Sequence, residues 1–298
     1  MHKLLLRLLS ASVFLFSSIS YAQTSLWQIS HDDKVLYLGG TIHMLRSSDY
    51  PLPVEYDAVY KQADRLVFET DIAGLGDPTV RQKMQQAVMY PAGNTLRQKL
   101  SPDVYQQVAE RWQQSGFPLP VLDTLKPAGV VMTLTLAQLR SNGVDAEGLD
   151  QHYYQRADND RKPVEGLETV NQQISFLAAM GEGNEDEFLL QTLEELELSE
   201  EYMQKLIKSW RSGDRAALEK LIVTDMRVEF PGIYQSLLVQ RNNAWLPQIK
   251  RMLSNRSVEL VLVGAGHLVG PDGLLQQLQK AGYIVRQVRK QDLPSVPY

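Results

Sequence analysis

Short apolar runs gather toward the two ends of the chain, and apolar residues at helical spacing fill the stretch between them. Residues 26–29 and 35–38 have strand length and are joined by the polar turn His31-Asp32-Asp33-Lys34, which predicts a hairpin. Residues 65–69, 258–263 and 283–288 read as further strands, and 163–167 as a short one closing on Gly166-Leu167-Glu168. Apolar positions three or four apart predict helices over 53–63, 78–89, 102–114 and 127–140, all but the first aided by Pro at the start. Ser101-Pro102 is a start signal, and Thr169 is placed to cap a helix running to Met180. Residues 184–223 read as acidic helix with Leu189, Leu193 and Leu196 inward, its carboxylates forming a solvated face. Helices at 241–253 and 271–280 complete the pattern. The fold expected is α/β with α+β character: a central mixed β-sheet built from both ends of the chain, flanked by helices, with a largely helical middle over about 75–240.

The N-terminus changes where the chain is expected to work. His2, Lys3 and Arg7 form a positive head, residues 8–16 are apolar, and Ser20-Tyr21-Ala22 fits a small-x-small cleavage site. The apolar run is shorter than the roughly 18 residues that span a bilayer. Residues 1–22 are therefore expected to be a signal peptide, with a periplasmic or secreted mature chain from about Gln23. A single domain over 23–289 and a loose tail over 290–298 should follow. No transmembrane segment is expected in the mature chain; its longest apolar stretch, 128–139, reads as a buried helix.

Composition narrows the chemistry. At 44% hydrophobic residues the chain can bury a large core. The net charge is −5, and cleaving the leader removes Lys3 and Arg7 but no acid. That balance, with no basic cluster, argues against a nucleic acid or an anionic membrane as partner. The chain has no Cys, which excludes disulfides, cysteine-based zinc sites and a thiol nucleophile.

Two histidines share one context. Apolar residues 35–38 lead into Gly39-Gly40-Thr41-Ile42-His43, and residues 260–263 into Gly264-Ala265-Gly266-His267. A buried strand fixes position, glycine at its end permits a tight turn or close approach, and the histidine is set at the carboxyl edge of the sheet. Glu69 and Glu168 end apolar strands in the same way. Two imidazoles with one or two carboxylates can hold a divalent metal and leave room for water, and a spare glutamate can act as general base. Each residue also has a plainer role open to it: a strand-end histidine bonded to backbone, Glu69 as a cap or salt bridge, Glu168 in the first turn of the next helix. His31 and His152 read as surface residues. No His-Glu-x-x-His, Gly-x-Ser-x-Gly or phosphate-loop motif occurs, and the dinucleotide reading of Gly264-Ala265-Gly266 fails because Gly270 comes one position late.

The paired motifs Gly40-Thr41-Ile42-His43 and Gly264-Ala265-Gly266-His267, with Phe68-Glu69-Thr70-Asp71, Gly166-Leu167-Glu168-Thr169 and Arg241-Asn242, resemble the TraB/GumN family, which includes the Tiki proteins. The resemblance implies a metal-dependent hydrolase, peptidase-like, acting on a peptide or protein substrate. It implies His43, Glu69 and His267 as ligands of a zinc, manganese, cobalt or iron ion, and Glu168, Arg241 and Asn242 as catalytic residues. Glu168 would be base or further ligand, the ligand role standing open between it and Glu69, and Arg241 and Asn242 would steady the substrate carbonyl or oxyanion. Gly148-Leu149-Asp150 also resembles a family motif, implying a supporting role for Asp150. The alternative is an envelope binding protein without turnover, holding a metal, haem or a peptide.

Overall fold

A computed structural model describes residues 23–196 and 200–292. The expected leader over 1–22 and residues 293–298 of the expected tail lie outside them. Among the described residues eight strands occur: β1 (Gln23–His31), β2 (Lys34–Thr41), β3 (Met44–Leu45), β4 (Arg65–Thr70), β5 (Ala146–Glu147), β6 (Val164–Glu168), β7 (Glu259–Gly264) and β8 (Ile284–Arg289). Six form one sheet in the order β6-β4-β7-β2-β1-β8, while β3 and β5 pair by themselves. The sheet is mixed and draws on both ends of the chain, as the apolar pattern predicts. β6, β4, β7 and β2 run parallel to one another, whereas β1 is antiparallel to both β2 and β8.

The reason for that split lies in the side chains. β7 sits mid-sheet, and its Leu260, Val261, Leu262 and Val263 are all fully buried, as a strand covered on both faces requires. β8 alternates at the edge, with Ile284 and Arg286 exposed and Val285 and Gln287 half-buried. The hairpin turns at Asp32, whose φ of 51° is a conformation Asp tolerates. Gly264 of β7 stands beside Thr41 of β2, and Thr70 of β4 beside Glu168 of β6, so four strands end together.

The helical middle divides between two cores. Trp112, Leu122, Val130, Leu134 and Leu189 pack in a cluster of their own. The helix Leu149–Asp160, by contrast, sets Leu149, Tyr153 and Ala157 into the sheet's core, as the helix Glu200–Ser212 does with Trp210. Three differences from the expected elements have local causes. The stretch 128–139 lies within a helix, Pro127–Ser141, that buries one face and leaves Met132 exposed, because its inner neighbours supply only one apolar wall. Residues 290–292 form a 3₁₀ turn held by an Asp292 carboxylate that accepts from the Arg289 N–H, so this part of the tail is ordered. The β3–β5 pair is two residues long on each side, too short to show in a periodicity.

Candidate functional site

The carboxyl ends of β2, β4, β6 and β7 meet at one edge, where open α/β sheets place ligands. His43 lies two residues beyond β2, in the bend before β3. The Gly40 carbonyl before it accepts two buried hydrogen bonds, from the Tyr56 hydroxyl (2.7 Å) and the Trp210 Nε1–H (2.6 Å). The Leu149 N–H donates to the Ile42 carbonyl, and Gly148 lies so close that a Cβ there would fall 2.2 Å from the His43 carbonyl. Glu69 and Glu168 end β4 and β6, and His267 rides the one-turn helix Ala265–Leu268 directly after β7. Arg241 and Asn242 come from the helix Gln240–Met252, which follows a π-helical stretch, Gln235–Val239.

Arg241 binds the group together. Its Nε and Nη2 donate to Glu168 at 2.9 Å each, a two-point clamp, and Nη2 also donates to Glu69 Oε2 at 2.8 Å. Trp245 Nε1–H donates to Glu168 Oε1 at 2.9 Å, and the Gly264 N–H donates to Glu69 Oε1 at 2.7 Å. Arg241, Glu69, Glu168 and His267 are all buried.

The two imidazoles are oriented alike. The Asn242 amide donates to the His267 and Asp272 carbonyls, which turns its Oδ1 to His267 Nδ1 at 2.8 Å. His267 Nδ1–H is then the donor, and Nε2 keeps its lone pair, facing Arg241 Nη1 at 3.2 Å. Burial drives the His267 pKa down to about 3, so the ring is neutral. Burial also acts to raise the Glu69 carboxyl, yet the surrounding donors outweigh it and hold the group down at about 2. With His267 neutral, Arg241, His43 and the Gly264 N–H carry that effect. His43 Nδ1 faces Asp150 Oδ2 at 2.9 Å, and that carboxylate holds the imidazole above its ordinary value. Because the His43 side chain is 67% exposed, water screens the pull.

A Cβ on Gly264 would lie 3.7 Å from both His43 Nε2 and the His267 ring and 3.2 Å from Glu69 Oε1, so the three side chains converge over this glycine. In kind they suit a divalent metal: two imidazoles with Nδ1 held and one carboxylate, although the His267 Nε2 lone pair now faces Arg241 Nη1. In spacing, His267 Nε2 and Glu69 Oε1 stand 3.8 Å apart, near the bite of two ligands with bonds of about 2.1 Å. Among the described residues no group of three or more His, Asp or Glu side chains is spaced to hold a metal as the side chains stand.

The edge thus gathers all six residues singled out from the sequence: His43, Glu69, Glu168, Arg241, Asn242 and His267. His31 is exposed and His152 partly so. Neither Gly40 nor Gly264 has positive φ; what each supplies is closeness, since a Cβ at Gly40 would press on Leu268 and Ala265 at 3.2–3.3 Å. Trp245, Tyr56 and Trp210 escaped the sequence reading. Trp245 alone carried a signal, four residues beyond Arg241 and so on its helix face.

A family model described as the TraB/PrgY/gumN family matches residues 25–287. The uncharacterized protein YbaP of Escherichia coli (strain K12) is 28% identical over 244 residues, covering 82% of this chain and 87% of that protein. Metalloprotease TIKI1 of Xenopus tropicalis is 23% identical over 333 residues, covering 93% of this chain and 64% of that protein. A metalloprotease TIKI homolog of Nematostella vectensis is 22% identical, covering 87% and 66%. The chain is thus distantly similar to proteins named metalloproteases.

Proposed function

This chain belongs to the TraB/PrgY/gumN family, and from that premise we propose that it is a metal-dependent hydrolase of peptides, exported by its leader to the periplasm or beyond. One observation carries the reading: His43 and His267 come from separate strand ends, each has Nδ1 fixed by an oxygen acceptor, and His43 Nε2 and the edge of the His267 ring meet over Gly264. That is how ligating imidazoles are prepared. His43, His267 and Glu69 would hold the ion, which supplies Lewis acidity and a nucleophilic water near neutral pH.

The remaining residues act through position. Asp150 orients His43, and Asn242 orients His267. Both Glu168 oxygens are taken by Arg241 and Trp245, so Glu168 serves to hold Arg241 rather than as a free base. The Asn242 amide is likewise spent on His267 and Asp272, which makes it a positioning residue and not the oxyanion donor expected from the sequence. Arg241 places Glu69 and touches His267 Nε2.

That last contact favours a second reading, a binder without turnover, since a guanidinium already faces one ligand nitrogen. Metal content and peptide hydrolysis, measured together on the mature chain and on His43→Ala, His267→Ala and Glu69→Gln, decide between them. The hydrolase reading expects each variant to lose metal and turnover together. A parent that binds metal firmly and cleaves no member of a broad peptide library supports the binder instead. Variants that keep the parent's metal and activity sink both. N-terminal sequencing of the exported protein should begin at Gln23.

A further inference from the structure

Beside His43 a hollow of about 210 Å³ opens into the same edge. His43, Glu69 and Asp150 form one wall. The rest is lined by buried Phe68 and Thr70 and by Ile72 and Leu75 of the short helix Ile72–Leu75 that follows β4, with the neutral amides of Gln151 and Gln173. None of these last four residues takes part in the hydrogen-bond network around Arg241. They hold nothing in the site, yet they face it.

We infer that this hollow is the specificity subsite of the candidate active site, and that it receives one apolar side chain of Leu, Met or Phe size from a peptide substrate. The inference rests on the hydrolase reading for its location and deepens it by naming the substrate class. Size makes the first selection. Pockets for drug-sized ligands start near 300 Å³, so about 210 Å³ suits one side chain and not haem. Charge makes the second. Both Glu69 oxygens already accept from Arg241 and the Gly264 N–H, and Asp150 Oδ2 already faces the His43 imidazole. An ammonium against Phe68, Ile72 and Leu75 would give up water for no partner, and an acidic side chain would meet two carboxylates. The amides of Gln151 and Gln173 offer a donor and an acceptor each, the pair that a peptide backbone requires.

The test uses the mature protein and labelled hexapeptides that differ at one central residue: Leu, Met, Phe, Ala, Lys or Glu. Binding is read by fluorescence anisotropy, and cleavage is followed in parallel. The parent should favour Leu, Met and Phe over Ala by about 10-fold or more, and disfavour Lys and Glu further, the range a hydrophobic pocket gives. Leu75→Trp, which fills the hollow, should erase that preference by losing about 10-fold on the large residues and little on Ala. Ile72→Ala should shift it toward larger residues, and Val121→Trp, on an exposed position elsewhere, should change nothing. Preferential binding without cleavage upholds the subsite and removes the hydrolase reading; cleavage without preference does the reverse. A parent that neither binds nor cleaves any peptide overturns both, and a preference that survives Leu75→Trp and Ile72→Ala overturns the subsite.

Discussion

An arginine meets two glutamates at each end of the same three strands. At the amino ends of β4, β6 and β7, Arg65 donates to Glu259 at 2.6 Å and to Glu165 at 2.8 Å. At the carboxyl ends, Arg241 reaches in from a helix to Glu69 and Glu168. The clusters look alike as charge, but differ in what surrounds them. Glu165 is half exposed and Arg65 partly so, only Glu259 is fully buried, and no imidazole joins them. The Arg241 cluster is buried, and two histidines stand over it with nitrogens already assigned. An ion pair between strands ties a sheet together at either end; what makes one end chemical is the neutral nitrogen and the carboxylate placed beside it, with solvent reaching His43 alone.

Arg241→Met should break the comparison most. It leaves Glu69 and Glu168 buried without their cation, and removing one partner of such a group costs about 3–5 kcal/mol. Arg65→Met should cost less, about 3 kcal/mol at the low end of that range, because it strips one fully buried carboxylate, Glu259, to which Asn255 still donates, while Glu165 turns to water. Urea unfolding of the two variants gives the comparison directly. Equal losses would mean that the carboxyl edge is no more buried in energy than the amino edge.

Gly148→Ala should come next. A Cβ there meets the His43 backbone at 2.2 Å, so the bend that presents His43 must shift. Forced packing of this kind costs roughly 1–3 kcal/mol, and metal content should fall more steeply than stability does. Stability lost with metal content unchanged would show that the bend tolerates displacement and that the approach of Gly148 is incidental.

That glycine marks where the sequence stops being legible. The four parallel strands were readable because each is an apolar run ending in a polar residue that can do chemistry, and such runs need no partner to be seen. Hence His43, Glu69, Glu168 and His267 could be placed at one edge from their positions alone. The duties of Glu168 and Asn242 could not, because they depend on which atoms face them. Glu168 looks like a free base until Arg241 and Trp245, more than 70 positions away, take both its oxygens. Gly40 and Gly264 were legible as glycines at strand ends, but the reason, side chains pressing where a Cβ would stand, exists only in the folded molecule. Trp210, which holds the Gly40 carbonyl from 170 positions away, reads in sequence as one more apolar residue on an amphipathic helix.

Asp150→Asn sharpens the comparison at the carboxyl edge without unpairing a buried charge. Its carboxylate orients His43, and loss of such a partner typically lowers metal affinity or activity 10–100-fold. Thermal stability should hardly move, since the amide keeps the size and can still accept from Nδ1. Metal affinity by calorimetry and turnover on the best hexapeptide should fall together. A large drop in melting temperature with affinity intact would recast Asp150 as a structural residue, and His43 with it.

The smallest effect belongs to Glu165→Gln at the amino edge. Glu165 sits on the same strand as Glu168, three residues earlier, and takes a 2.8 Å hydrogen bond from Arg65. By distance alone it rivals the contacts that Arg241 makes. Its side chain is 50% exposed, however, and exposed pairs of this kind contribute about 0.2–1 kcal/mol. The neutral amide keeps the shape and can still accept from Arg65, while Glu259 goes on holding the other side of the guanidinium. Stability should therefore change by less than about 0.5 kcal/mol, and metal content and hexapeptide cleavage should match the parent. If Glu165→Gln alters turnover or metal content, the amino-edge cluster is coupled through β6 to the carboxyl edge, and the two ends can no longer be treated as one scaffold and one site.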